Sequence, residues 1–155
     1  MRAMLTISER DMLEQLERMT DMDCSVRRDA ISALIGVMDG RILYPLIKAL
    51  QDEDHGIQQA AMDALIAFKD ESAVYNVLPL LADKRAYVRN IAREILEKVG
   101  VKCTGLFRSY IHCKDKDVRK MIADILGNIP NPKAKQLLTE MLGDPCINVR
   151  SSVAE

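Results

Sequence analysis

Apolar residues in this chain recur at four-residue spacing, and the whole arrangement then repeats. An aliphatic residue followed by a polar one stands at Val26-Arg27, Ile57-Gln58, Val88-Arg89, Val118-Arg119 and Val149-Arg150, every 30 or 31 residues. Four positions after each aliphatic anchor come Ala30, Ala61, Ala92, Ile122 and Val153; eight after come Leu34, Leu65, Leu96 and Leu126. Residues i, i+4 and i+8 share one face of an α-helix, so each anchor opens an amphipathic first helix. Upstream lies a second stripe at the same spacing. It comprises Leu50, Leu81, Ile111 and Leu142, then Leu46, Val77, Phe107 and Leu138, then Ile42, Ala73, Cys103 and Ala134. Each unit therefore reads as helix–turn–helix, and a fixed period of this length marks stacked supersecondary units.

The turns carry matching chemistry. Asp21 and Asp23, Asp52 and Asp54, Asp83, Asp115 and Asp117, and Asp144 precede the first helices, where carboxylates accept orphan N–H groups. Asp39-Gly40, Gly100 and Gly127 are expected to stop first helices by left-handed caps. Asn128 to Pro132 reads as a short inter-helix turn. No strand-like alternation is present, and the fold class is all-α. A helix over Thr6–Met19, with Thr6 and Glu9 spaced as a capping box, reads as an N-terminal cap with a stripe of Met12, Leu16 and Met19. The expected organisation is a capping helix over 1–20 and an array over 21–155. Its units fall near 21–51, 52–82, 83–113 and 114–143, with a partial fifth at 144–155.

The stretch Leu126-Gly127-Asn128-Ile129 through Pro132, Ala134, Leu138, Leu142, Asp144, Val149, Arg150 and Ala154 resembles the HEAT-repeat family, and within it the short HEAT-like repeats of the phycobilin-lyase type. The resemblance covers about residues 20–155. It implies an α-solenoid, an armadillo/HEAT-like superhelix with first helices convex and second helices concave. It also implies a polar ladder of Asp and Arg between units, carried by Asp21 or Asp23, Arg27, Asp83, Arg89, Asp115, Arg119, Asp144 and Arg150. Gln58 interrupts that ladder. The fifth unit stops inside its first helix at Glu155, and stacked repeats need a polar cap. A fragment of a longer array is favoured over an edge covered by another molecule.

Composition narrows the function. The 155 residues carry 22 Lys+Arg against 23 Asp+Glu, which speaks against a polyanion held by bulk electrostatics. A groove for DNA would rest on Arg41, Lys48, Lys102 and Lys133, without any Trp, and a solvated face is the better reading of these four. No apolar run approaches the roughly 18–20 residues that cross a bilayer, and no secretory core follows Met1. A cytoplasmic protein is expected.

Catalytic chemistry finds little support. The two histidines, His55 and His112, lie outside any His-Glu pair of the kind found in iron-binding HEAT-like hydroxylases. Cys103, His112 and Cys113 lack the tight pairing of a structural zinc site. Cys103 falls on an apolar stripe and Cys113 near a helix end. No cofactor and no metal is expected.

What remains is a surface. The second-helix positions left outside the apolar stripe are Arg41, Tyr44, Lys48 and Gln51, then Tyr75 and Asn76, then Ser109 and His112, then Gln136 and Glu140. Tyr44 and Tyr75 occupy the same repeat position, and Tyr and Arg are enriched in interface hot spots. The expected function is a non-catalytic protein-binding scaffold using this concave face. The alternatives are a regulatory or lyase-like subunit of an enzyme and, behind it, a nucleic-acid-binding solenoid. The open C-terminal edge is a further place for association.

Overall fold

In the computed structural model, which describes residues 7–68 and 70–154, the chain is an all-α solenoid, with no strand among the described residues. It divides between Asn76 and Val77 into two compact units.

The first unit opens with α1 (Glu9–Arg18), and Ser8 caps it by accepting the Asp11 amide through Oγ at 3.1 Å. The expected cap Thr6 lies outside the described residues. Met12 is buried, while Leu16 and Met19 are only half-buried, so the predicted stripe of α1 is narrower than its sequence suggests. α2 (Cys24–Ala33) starts two residues before the predicted anchor Val26, capped by Asp23, and buries Ala30, Ile31 and the Leu34 that ends it. The chain turns after it at Gly36, where φ is 89°, a left-handed conformation that only glycine adopts without strain. Gly40 has no such role. It begins a 3₁₀ turn, Gly40–Ile42, that leads into α3 (Leu43–Ala49). α4 (His55–Phe68) packs on α2 and α3, and its buried face holds Ile57, Ala61, Leu65 and Phe68. α5 (Glu71–Val77) follows.

The second unit continues from α5 into a 3₁₀ stretch, Leu78–Ala82, because Pro79 cannot donate the amide that an α-helix would need. α6 (Ala86–Val99) packs on that stretch through Val88, Ala92, Ile95 and Leu96. The third second helix differs from expectation: in place of an α-helix, residues Thr104–Ser109 form only a 3₁₀ stretch. Two local causes act here. Gly105 raises the entropic cost of helix formation, and the Thr104 hydroxyl donates back to the carbonyls of Gly100 and Val101, both at 3.1 Å. α7 (Lys116–Asn128) is capped by Asp115, whose carboxylate accepts the amides of Asp117 and Val118. Gly127 lies inside this helix, so it ends no helix. α8 (Pro132–Met141) follows the expected turn, capped by Asn131 and with Pro132 at its first turn. Its buried residues are Ala134, Leu137 and Met141, whereas predicted Leu138 is half-buried and Leu142 is 51% exposed. The buried stripe thus keeps Ala134 but shifts by one position at its two later members. α9 (Ile147–Ala154) buries Val149.

Gly100 ends α6 at φ −68°, a right-handed cap in place of the left-handed one expected. Its lack of a side chain serves packing: a Cβ there would stand 2.4 Å from the Leu96 carbonyl and 2.9 Å from the Phe107 ring. Gly100→Ala is expected to destabilise the second unit by about 1–3 kcal/mol, as overpacking does. A chemical denaturation series checks this, and an unchanged midpoint contradicts it.

Candidate functional site

The ladder sets where the outward-facing side chains sit. In all five units the side chain after the anchor donates to a main-chain carbonyl six residues back. The pairs are Arg27 to Asp21, Gln58 to Asp52, Arg89 to Asp83, Arg119 to Cys113 and Arg150 to Asp144, at 2.6–2.9 Å. This clamp fixes the entry of every first helix. Two of the arginines also reach the carboxylate 25 residues on. Arg27 binds Asp52 through two bonds of 3.1 Å, and Arg119 binds Asp144 at 2.6 and 3.0 Å with both side chains buried.

The ladder expected from sequence is therefore corrected in its members. Asp23 and Asp115 are helix caps. Asp52 is a rung acid, and Asp83 gives its carboxylate to Arg85, which holds it down at about pKa 2. Cys113 stands where the other four units carry Asp. The offset from the anchors, read one column further, shows that substitution in the sequence. Gln58 supplies no cation, but its amide keeps the clamp.

In the first unit the predicted surface residues separate into two kinds. Tyr44 and Tyr75 are 76% and 70% exposed. Lys48 follows Tyr44 by one turn on α3, is exposed, and has no ion pair among the described residues. Arg41 is exposed but committed: its guanidinium bonds Asp39 at 2.8 Å and Glu9 at 2.9 Å. That guanidinium depresses the Asp39 carboxyl to about pKa 2. Asn76 is exposed, with its side-chain amide donating to the Ser72 carbonyl at 2.7 Å, and Gln51 is half-buried.

In the second unit the predicted residues gather around Glu140. Arg108 donates to it at 2.7 and 3.3 Å, and His112 Nε2 lies 3.9 Å away. Arg108 was not among the predicted residues. Its column holds Ile47, Leu78 and Thr139 in the other units, so the repeat pattern hid it. Gln136 is exposed one turn before Glu140 on α8, and the Ser109 hydroxyl turns back to the Leu106 carbonyl at 3.3 Å. Beside Glu140 lies a cleft of about 230 Å³, bordered by His112, Cys113, Arg119, Met141 and Asp144. Burial pushes the Cys113 thiol up from its ordinary pKa, and its Sγ donates to the Asp115 carbonyl at 3.4 Å. A thiol so held is a weak nucleophile.

A family model described as HEAT repeats matches residues 11–97 and 105–155. The chain belongs to the HEAT-repeat family. No curated protein matches it. Among solved structures, it resembles an engineered protein at 17% identity and TM-score 0.46, over 93% of this chain and 76% of the other. It also resembles the complex of CpcE and CpcF of phycocyanin lyase from Nostoc sp. PCC7120, at 18% identity and TM-score 0.47, over 92% of this chain and 61% of that one. A second engineered protein aligns at 17% identity and TM-score 0.43, over 92% and 46%. The chain thus spans less than two thirds of the length of two of these three. No helix among the described residues of this HEAT-repeat chain is long and apolar enough to cross a membrane.

Proposed function

We propose that this HEAT-repeat chain is a non-catalytic protein-binding module whose working surface is the second-helix face of the first unit. The observation that carries the reading is the exposure of Tyr44 and Tyr75. Both stand at one repeat position, on helices that bury Leu43, Leu46, Ala73, Val74 and Val77. A Tyr side chain presents a large, rigid contact area with a polar tip and loses little rotamer freedom on binding. Lys48 adds a cation one turn from Tyr44, and Arg41 is already oriented by Asp39 and Glu9. A preorganised rim of that kind favours specificity and encounter rate over raw affinity.

The near-balance of charge, 22 Lys+Arg against 23 Asp+Glu, supports a protein partner over a nucleic acid, and part of the exposed positive charge is already committed. Arg41, Arg85, Lys98, Arg108 and Lys120 each sit against a carboxylate. A phosphate backbone would have to break those pairs to gain contact. For the absence of catalysis, the reading rests on the surroundings of the groups present: His112 lies beside Glu140, and burial pushes the Cys113 thiol up from its ordinary pKa.

The test is affinity capture from native lysate with wild type and with the Tyr44→Ala/Lys48→Glu/Tyr75→Ala variant, at two salt concentrations. Retention by wild type and a loss of roughly 100-fold or more in the variant is expected, as for interface hot spots of about 2–4 kcal/mol. Helical content stays unchanged because all three side chains are exposed. Equal retention by both proteins moves the site elsewhere, and binding that collapses with modest salt points to a polyanion.

A further inference from the structure

α1 carries the register of the second helices. Met12, Leu43 and Val74 stand fourteen residues before the anchors Val26, Ile57 and Val88, and all three are buried. The next residue in each helix turns outward. It is Tyr44 on α3, Tyr75 on α5 and, on α1, Leu13, which is 46% exposed. The tyrosine pair thus extends into a row of three large exposed side chains, one per repeat, all within the first compact unit.

The step along that row selects the backbone that can follow it. α2 packs directly on α4, so successive repeats advance by one helix packing distance, roughly 8–10 Å. A polyproline II segment has three residues per turn and returns every third side chain to one face at about 9.3 Å. A β-strand returns every second one at about 6.6–6.8 Å. The described residues also offer no strand edge for such a segment to pair with. An α-helix meets the step only with every seventh residue, at about 10.5 Å, and sets the other side chains of its face against the gaps in the row.

The chemistry of the row agrees. Tyr rings are flat apolar platforms on which proline rings pack, as in the aromatic-lined grooves that take polyproline II ligands. Their hydroxyls can donate to the carbonyls of such a segment, which have no internal partner. Charge adds a polarity. Lys48, four residues after Tyr44, is exposed and has no ion pair among the described residues, so an acidic residue suits that margin of α3. Glu17 holds the same repeat position on α1, is exposed, and disfavours an acid there.

Building on the protein-binding reading of this face, we propose that Leu13, Tyr44 and Tyr75 dock a proline-rich segment of another protein in the polyproline II conformation. Its prolines recur at every third position, and an acidic residue lies over Lys48.

The test is isothermal titration calorimetry on the full chain with three synthetic peptides. The first has proline at its first, fourth and seventh positions, glutamate at its fifth and alanine elsewhere. The second has the same composition with proline at its first, third and fifth positions and glutamate at its seventh. The third is an amphipathic helix with leucine at every seventh position. The first is expected to bind, and the other two more weakly by roughly tenfold or more, since they present the row with the wrong step. Leu13→Gln, Tyr44→Ala and Tyr75→Ala each weaken the first peptide by roughly tenfold or more, and Lys48→Glu weakens it as well. Circular dichroism guards the fold of these variants, and all four side chains are exposed. No binding of the first peptide, equal binding of the second, preference for the helix, or indifference to Leu13→Gln overturns the proposal. Lysate capture that still depends on Tyr44 and Tyr75 then leaves the proposed function standing; capture indifferent to them removes both.

Discussion

Asp144→Ala is expected to destabilise the second unit by about 3 kcal/mol, the low end for breaking a buried ion pair. The Arg119 side chain is only 10% exposed, and its Nε and Nη2 both point at Asp144. Removing the carboxylate leaves that charge buried with only the Cys113 and Lys114 carbonyls for Nη1. Those two bonds are why the loss falls at the low end. The mutation also strips the Cys146 amide of its acceptor at the start of α9. pH provides an independent signature. Bonding to Arg119 lowers the Asp144 pKa below its ordinary 3.8. A carboxylate with a depressed folded-state pKa contributes stability that is complete above the unfolded value and is lost as pH falls through the folded one. The gap between wild type and Asp144→Ala should therefore be constant near neutrality and narrow below about pH 4. Urea denaturation at pH 7 and pH 3 checks this; a gap that persists at the lower pH contradicts the assignment.

Phe107→Ala carries the second large effect, about 3–5 kcal/mol. Phe107 is fully buried and closes on Gly100, whose missing side chain leaves room for the ring. The 3₁₀ stretch around it has poorer hydrogen-bond geometry than an α-helix. Its position in the second unit therefore depends on this one aromatic more than on its own backbone. The neighbouring α8 is fixed at its start by the Asn131 cap and α6 by its buried face, so the cavity cannot fully collapse. For a domain with a total stability of about 5–15 kcal/mol the loss is severe, and thermal unfolding should move down accordingly. A midpoint close to wild type would mean that the stretch is held by something other than the ring. Tyr44→Ala, by contrast, should stay within about 0.5 kcal/mol, as exposed positions do.

The architecture was legible because it is written in a period. Anchors such as Val88 and Val118, and stripes such as Ala92 and Leu96, are all buried where spacing put them. The departures arise where one residue changes local backbone energetics. Pro79 and Gly105 turn expected α-helix into 3₁₀ helix. Gly36 takes the left-handed turn in place of the glycines nearer the expected helix ends. Leu137 and Met141 replace Leu138 and Leu142 on the buried face of α8, since a run of Leu and Met offers two stripes of nearly equal apolarity. The surface was legible in part. A repeat alignment can place Tyr44 and Tyr75 in one column, and their exposure follows from that column lying outside the stripe. Which charges are committed could not be read the same way. Arg41 meets Glu9 across 32 residues, and Arg108 meets Glu140 across the same separation, both outside the repeat period.

The most direct test of the binding reading is site-specific photo-crosslinking, with a photoreactive side chain in place of Tyr44, of Tyr75 or of the exposed α4 residue Asp63. The expected result is one and the same covalent adduct from the two tyrosine positions and none from Asp63. An adduct from Asp63 alone, or none from either tyrosine position in a lysate where capture succeeds, would contradict the second-helix face as the working surface.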